Sequence, residues 1–348
     1  MTKRGEPDRD GKFIRRALIV IALVSVVWLL WQLRSLVLML FGAVVVATVF
    51  RALADVIRKH TRMPDGPAVA LSIVLILGSL AGLVYVFGGQ IADQAAALTQ
   101  ELPNAWRSLQ ARIADMGFGD PIGTLVDGGK PDGGAAGVGR FVMSVGTGIA
   151  DTLVVIFGGI FLAAQPNFYR IGAIKLVPQA KRALVGEAMI DSERALRLWL
   201  RGQLIAMVLV GFLTGLGLWL IGVPSALALG LLAGLLEFVP FAGPVIAAIP
   251  GVLLALVVSP ELALWTVALY VGVQQIEGNL VQPLVQRYAV DLPPVVLLFS
   301  LLGFGMLFGV VGIIFAAPLA VVSYVLVKRL YVQEALGTKT PIPGADKT

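Results

Sequence analysis

Six polar side chains crowd a stretch that is otherwise apolar. The segment VGVQQIEGNLVQPLVQRYAV, residues 271–290, holds Gln274, Gln275, Glu277, Asn279, Gln282 and Gln286. On an α-helix, setting Gln275 at zero puts Asn279 at about 40°, Gln282 at about −20° and Gln286 at about 20°. These four amides share one stripe, while Glu277 at about −160° and Gln274 at about −100° face elsewhere. Pro283 removes the backbone N–H that would bond the Asn279 carbonyl, and Gly278 loosens the same turn. A freed carbonyl beside amides and a carboxylate suits a cation or a small polar solute. The competing explanation is structural: amides in membranes also hold helices together, each contributing about 0.6–2 kcal/mol.

Two further carboxylates interrupt apolar runs. Glu237 is the only charged residue in 222–260, and Asp151 falls inside the apolar run 141–164. An ionised carboxylate at a bilayer centre costs roughly 2.5–3.5 kcal/mol even on the most lenient scale. A chain poor in charge keeps few such groups, so Glu237 and Glu277 are expected to line or gate a path. Asp151 is a weaker candidate, since a span starting at Thr152 makes it an interface residue. Other chemistry is thinly supplied. Cysteine is absent, His60 is the only histidine, and there is no HExxH or Gly-x-Ser-x-Gly. The string GTLVDGGKP at 123–131 lacks the Ser/Thr and first glycine of a phosphate-binding loop. No enzyme, cofactor or metal site is expected.

These residues must be carried by membrane helices. Of 348 residues, 58% are hydrophobic and 14% charged, and the mean hydropathy is +0.90. Soluble domains carry about 25% charged residues. The fold class is therefore all-α polytopic membrane protein. The net charge of +6 reads as a topology signal rather than a nucleic-acid footprint.

The chain divides accordingly. Residues 1–16 form a charged tail. Spans 1–3 fill 17–89, with Arg34 expected at the turn of a hairpin between 17–33 and 35–50. Residues 90–140 hold an amphipathic helix kinked at Pro103, then a loop with nine glycines in 117–139. Span 4 is 141–164, a basic helical segment is 165–201 with Glu193 and Arg197 spaced to pair, spans 5–8 fill 202–327, and 328–348 is a tail. Lysine and arginine in the N-tail, in 51–67, in 165–201 and in the C-tail place these in the cytoplasm, and 90–140 outside.

The run 292–327 has no charge. As one straight helix it would extend about 54 Å, against a hydrocarbon core of about 30 Å. The run 222–260 is as long. Each contains breakers: Pro240, Gly243, Pro244 and Pro250 in the first, Gly303, Gly305, Gly309, Gly312 and Pro318 in the second. Each is expected to be a discontinuous helix or a hairpin, and interrupted pairs point to a transporter's binding site. Pro240, Gly243, Pro250, Pro283, Gly309, Gly312 and Pro318 are the candidate hinges.

Three blocks carry a family resemblance: GLLEFVPFAGPVIAAIP (234–250), VQQIEGNLVQP (273–283) and FGVVGIIFAAPLA (308–320). With RLWLRGQL and GVPSALALG between spans, the chain resembles the autoinducer-2 exporter family, also known as PerM-type permeases. The DLPP segment at 291–294 lacks the His-Pro common in that family. The resemblance implies about eight membrane segments, a bacterial inner-membrane location, a pentamer with elevator-like movement, and export of a small polar solute such as an autoinducer-2-like signal. It also implies an alternative, exchange of sodium or lithium for protons. A third possibility is a non-transporting scaffold that docks through residues 90–116. The expected partners are the solute, H+ or Na+, lipid and further copies of the chain, with no nucleic acid.

Overall fold

The computed structural model describes residues 31–86, 151–281 and 292–338, with a few positions at their margins. The N-tail, the amphipathic helix at 90–116, the glycine loop, Gln282, Pro283 and Gln286 lie outside the described residues. No strand occurs among the described residues. The helices are α1 (Arg34–Thr61), α2 (Asp65–Val86), α3 (Asp151–Ala164), α4 (Pro166–Lys175), α5 (Arg182–Leu220), α6 (Ala226–Leu236), α7 (Ala242–Val258), α8 (Pro260–Ile276), α9 (Pro294–Ile314) and α10 (Ala316–Leu326). Four of them are long and apolar enough to cross a membrane, or five if the bent pair α3–α4 is one span. The apolar side chains of α2 and α9 point mostly away from the rest of the chain. Lipid replaces water as the solvent for such faces.

The expected hairpin turn at Arg34 is not there. Leu33 N–H bonds the Leu29 carbonyl at 2.9 Å, and Val37 N–H bonds the Leu33 carbonyl at 3.0 Å. The helical ladder thus runs through Arg34, whose guanidinium lies 4.4 Å over the Trp31 ring. A charge stacked on an aromatic at an exposed helix surface needs no turn. The first reversal instead follows Arg62, which ends α1 in the left-handed conformation at φ 56°. Ala47, Phe50 and Ala54 of α1 then meet Ala68 and Val69 of α2 and Ala163 of α3.

A belt of ion pairs fixes the basic end of this bundle. Arg51 donates to the Ala163 carbonyl at 2.7 Å in the last turn of α3, where a cation complements the helix dipole. It also meets Asp65 at 2.9 Å, and Arg58 joins the same carboxylate at 3.0 Å. Arg197 bridges Glu193 at 2.8 Å, the pair its spacing anticipates, and also Asp55 of α1 at 2.5 Å. Arg197 therefore ties α5 to α1.

The run 222–260 is a hairpin. Ala226 and Leu229, early in α6, share a buried cluster with Ala255, late in α7, with Ala263 of α8, and with Leu218 and Val223. The chain therefore returns to where it started. α6 lies on α5 along a seam of glycines. A Cβ on Gly230 would fall 2.4 Å from the Gly215 Cα, and one on Gly234 would fall 2.7 Å from the Met207 carbonyl oxygen. With Gly211 this is a small-xxx-small interface on both helices, which lets backbones touch where no hydrophobic drive exists between spans. The hairpin makes a direct prediction in this cysteine-free chain. Exposed Pro224→Cys and Glu261→Cys should react with an impermeant maleimide from the same side of sealed vesicles. Opposite-side labelling would show a single crossing.

The run 292–327 also reverses. Gly309 has φ 66° and ψ −147°, a conformation open essentially to glycine alone. Beyond it, Gly312 sits against the Phe304 carbonyl and Gly305 against Ile313. A straight helix would separate 304 from 312 by about 12 Å. Phe315 then packs edge-on against Phe41 of α1, ring centroids 6.3 Å apart. Val45, Leu196, Trp199 and Leu200 enclose Leu292 together with Ala317, Ala320, Val321 and Val325 of α10. The base of this second hairpin lies beside the tip of the first, since Phe238 packs on the same cluster. The two hairpins thus enter from opposite ends of the bundle.

The remaining breakers stand within helices. α7 continues through Pro250. Pro244 and Pro318 occupy the third positions of α7 and α10, where a backbone N–H has no intrahelical partner to lose.

Candidate functional site

The tip of the first hairpin is built from Glu237, Phe238, Val239, Pro240 and Phe241. α6 ends as Glu237 N–H bonds the Ala233 carbonyl at 2.9 Å. Ala242 N–H then bonds the Pro240 carbonyl at 2.8 Å across Phe241, whose φ is 65° and ψ −47°. This is the γ-turn with positive φ, rare and strained for a residue with a side chain. Strain of this kind persists where the surroundings fix it, and it clusters at functional sites. Here the fixing is visible. Gly243 packs so closely on α6 that a Cβ would meet the Leu236 carbonyl oxygen. Phe238 meets Trp199 edge to face at 5.9 Å, and Gln203 Nε2 donates to the Glu237 carbonyl at 2.6 Å.

The second part of the site comes from the end of α8. Its helix widens into a π turn over Glu277–Val281. Such turns interrupt the regular ladder and are frequent at functional sites. Glu277 opens the turn and is buried. Gln274 Nε2 donates to its Oε2 at 2.8 Å. Gln275 and Asn279 are exposed on another face, where Asn279 Nδ2 donates to the Gln275 carbonyl at 2.9 Å and to its Oε1 at 3.2 Å. The separation of these faces follows from helical geometry.

Folding brings the two carboxylates together. Glu237 is 3% exposed and Glu277 5% exposed, and their charges are within electrostatic reach of each other. Glu237 Oε2 has no hydrogen-bond partner among the described residues. Two buried carboxylates within electrostatic reach of each other make it costly for both to be ionised at once. No group of three or more metal-ligating side chains occurs among the described residues.

The pair's depth differs from a mid-membrane placement. Gln203 follows Arg201 by two residues, and about 25 Å of helix separates it from Leu220. The carboxylates therefore sit near the basic end of the apolar part of α5. Asp151 stands apart. It is exposed at the start of α3, whose contacts run through Gly158, Gly159 and Ala163 to α1. It does not join the carboxylate pair. Sequence reasoning missed Gln203 and Trp199. The available signal was an amide in a span with no other strongly polar side chain. Gln203→Leu should leave the Glu237 carbonyl unpaired and destabilise the tip by about 1–3 kcal/mol. A thermal melt in detergent measures this, and an unchanged midpoint would remove the latch.

The arrangement is two helical hairpins beside a helix that ends in a π turn, with a buried carboxylate on the first hairpin's tip and another at that turn; interrupted helices of this kind are a feature of transporter folds. Residues 18–331 match the sequence profile described as AI-2E family transporter, and the chain belongs to that family. It is similar to the "Putative transport protein YueF" of Bacillus subtilis, 25% identical over 287 residues, 78% of this chain and 77% of the relative. It is 27% identical to the "Putative permease PerM" of Escherichia coli K12 over 73% of this chain and 76% of that one. With the "Putative transport protein YrrI" of Bacillus subtilis it shares 33% identity over 151 residues, 43% of each chain. The protein is a multi-pass bacterial membrane protein of a transporter family.

Proposed function

We propose that the chain is a gradient-driven secondary transporter that exports a small polar solute across the bacterial inner membrane. The observation that carries this reading is the Glu237–Glu277 pair. Two chain breaks, 40 residues apart, each bury an acid, and the two charges are within electrostatic reach. Gln274 donates to Glu277 from the preceding turn of α8. The pair acts as a gate at the basic end of the path, opened when the first hairpin's strained tip moves relative to α5. Gln275 and Asn279 offer hydrogen bonds on the neighbouring face, and Gly309 sets the second hairpin's turn. A charge crossing 100 mV yields about 2.3 kcal/mol, enough to drive such a step. The experiment is flux of candidate furanose-like and other small polar solutes from vesicles holding the purified protein. No solute moving faster than in empty vesicles, across a panel and with an imposed ion gradient, would end this reading.

The carboxylate pair also favours a second reading, exchange of Na+ or Li+ for H+. An internal pH dye in the same vesicles separates the two. Proton movement on adding sodium, without solute flux, selects the antiporter.

A further inference from the structure

α3 and α4 meet at Gln165 with a bend of 94°. If α3 runs through the bilayer, α4 lies flat along its surface. Ile174 turns inward, its Cδ1 3.4 Å from where a Cβ on Gly186 would stand. On the helix, Phe168, Ile171 and Lys175 share one stripe about 60° wide, centred roughly 90° round from Ile174. Among the described residues nothing covers that side. Phe168 is 70% exposed, Ile171 51% and Leu176, just beyond the helix, 89%. Tyr169 packs edge-on against Phe168 at 5.4 Å. A basic stretch accompanies these apolar groups. Between Pro166 and Gly186 there is no aspartate or glutamate, against Arg170, Lys175, Lys181 and Arg182. Arg182 holds the elbow's shape, donating to the Val177 carbonyl at 2.9 Å and the Lys175 carbonyl at 3.1 Å. Lys175 and Lys181 are left at the exposed edge.

We propose that residues 166–182 form an interfacial elbow that binds anionic phospholipid headgroups selectively. The apolar side chains enter the headgroup–acyl boundary, as on surface helices generally. Lys175 and Lys181 stand at the level of the phosphates, where an anionic leaflet attracts lysine and arginine. The right angle to an apolar span and the one-signed charge together select a lipid surface over a soluble partner.

The lack of cysteine makes a site-specific test direct. Gly172→Cys, with open space around the new Cβ, carries a bimane in the full-length protein, purified and placed in phosphatidylcholine vesicles. Brominated phosphatidylglycerol should quench it about twofold more strongly than brominated phosphatidylcholine at the same mole fraction, and rising salt should shrink the difference. Lys175→Gln with Lys181→Gln should abolish the preference while quenching by both lipids persists. Both lysines are exposed, so the melting midpoint should match that of the parent. Equal quenching by both lipids in the parent, quenching by neither, or a preference that survives the double substitution overturns the proposal. None of these outcomes depends on what the protein transports.

Discussion

Glu277→Gln is expected to fold, insert and lose about 99% of flux, because an amide of the same shape cannot share a charge with Glu237. The amide cannot take up or release a charge, so the step that depends on it is blocked, and a loss of about 100-fold corresponds to about 2.8 kcal/mol. Glu237→Gln should do the same. The double variant carries the sharper expectation: if the carboxylates act as one unit, it loses no more than either single change. Multiplying losses would show two independent residues. Wild-type flux in well-folded Glu277→Gln would eliminate the gate assignment. Gln274 donates to Glu277 from its own helix, so Gln274→Leu should reduce flux less, by about tenfold.

The second large effect is structural and concerns two glycines in one helix. In Gly312→Ala the added Cβ would lie 2.1 Å from the Phe304 carbonyl oxygen. Backbone cannot yield by that amount without opening the hairpin, so the variant should fail to give a monodisperse folded species in detergent. Gly303→Ala is its control, with nothing within 4 Å; there alanine should be tolerated and should favour the helix by about 1 kcal/mol. Gly243→Ala should fail like Gly312→Ala, its Cβ being 1.9 Å from the Leu236 carbonyl oxygen. Size-exclusion profiles and melting midpoints measure all three. Equal behaviour of Gly303→Ala and Gly312→Ala would remove the reversal at Gly309.

Much of this was legible in the sequence. Charge scarcity gave the class. The length of 222–260, with a single charge, and of 292–327, with none, required a break in each. The 100° rotation per residue put Glu277 and Asn279 on different faces. Other features were not legible. Arg34 looks like a turn because a charge divides two apolar runs, yet a stacked Trp31 lets the helix pass. Whether Glu237 meets Glu277 depends on where the first hairpin's tip docks, and docking is set by Trp199, Gln203 and the glycine seam. Those contacts span tens of residues and have no local periodicity.

That seam also bears on how the chain is made. At 11 residues α6 rises about 16 Å, roughly half the hydrocarbon thickness. A segment so short is a poor candidate for independent recognition by the translocon. It becomes stable beside α5, whose Gly211 and Gly215 receive it along the backbone. Biogenesis is therefore ordered: α5 is inserted first and serves as a template, and the strained tip with its acid is delivered afterwards on a helix that has already found its place.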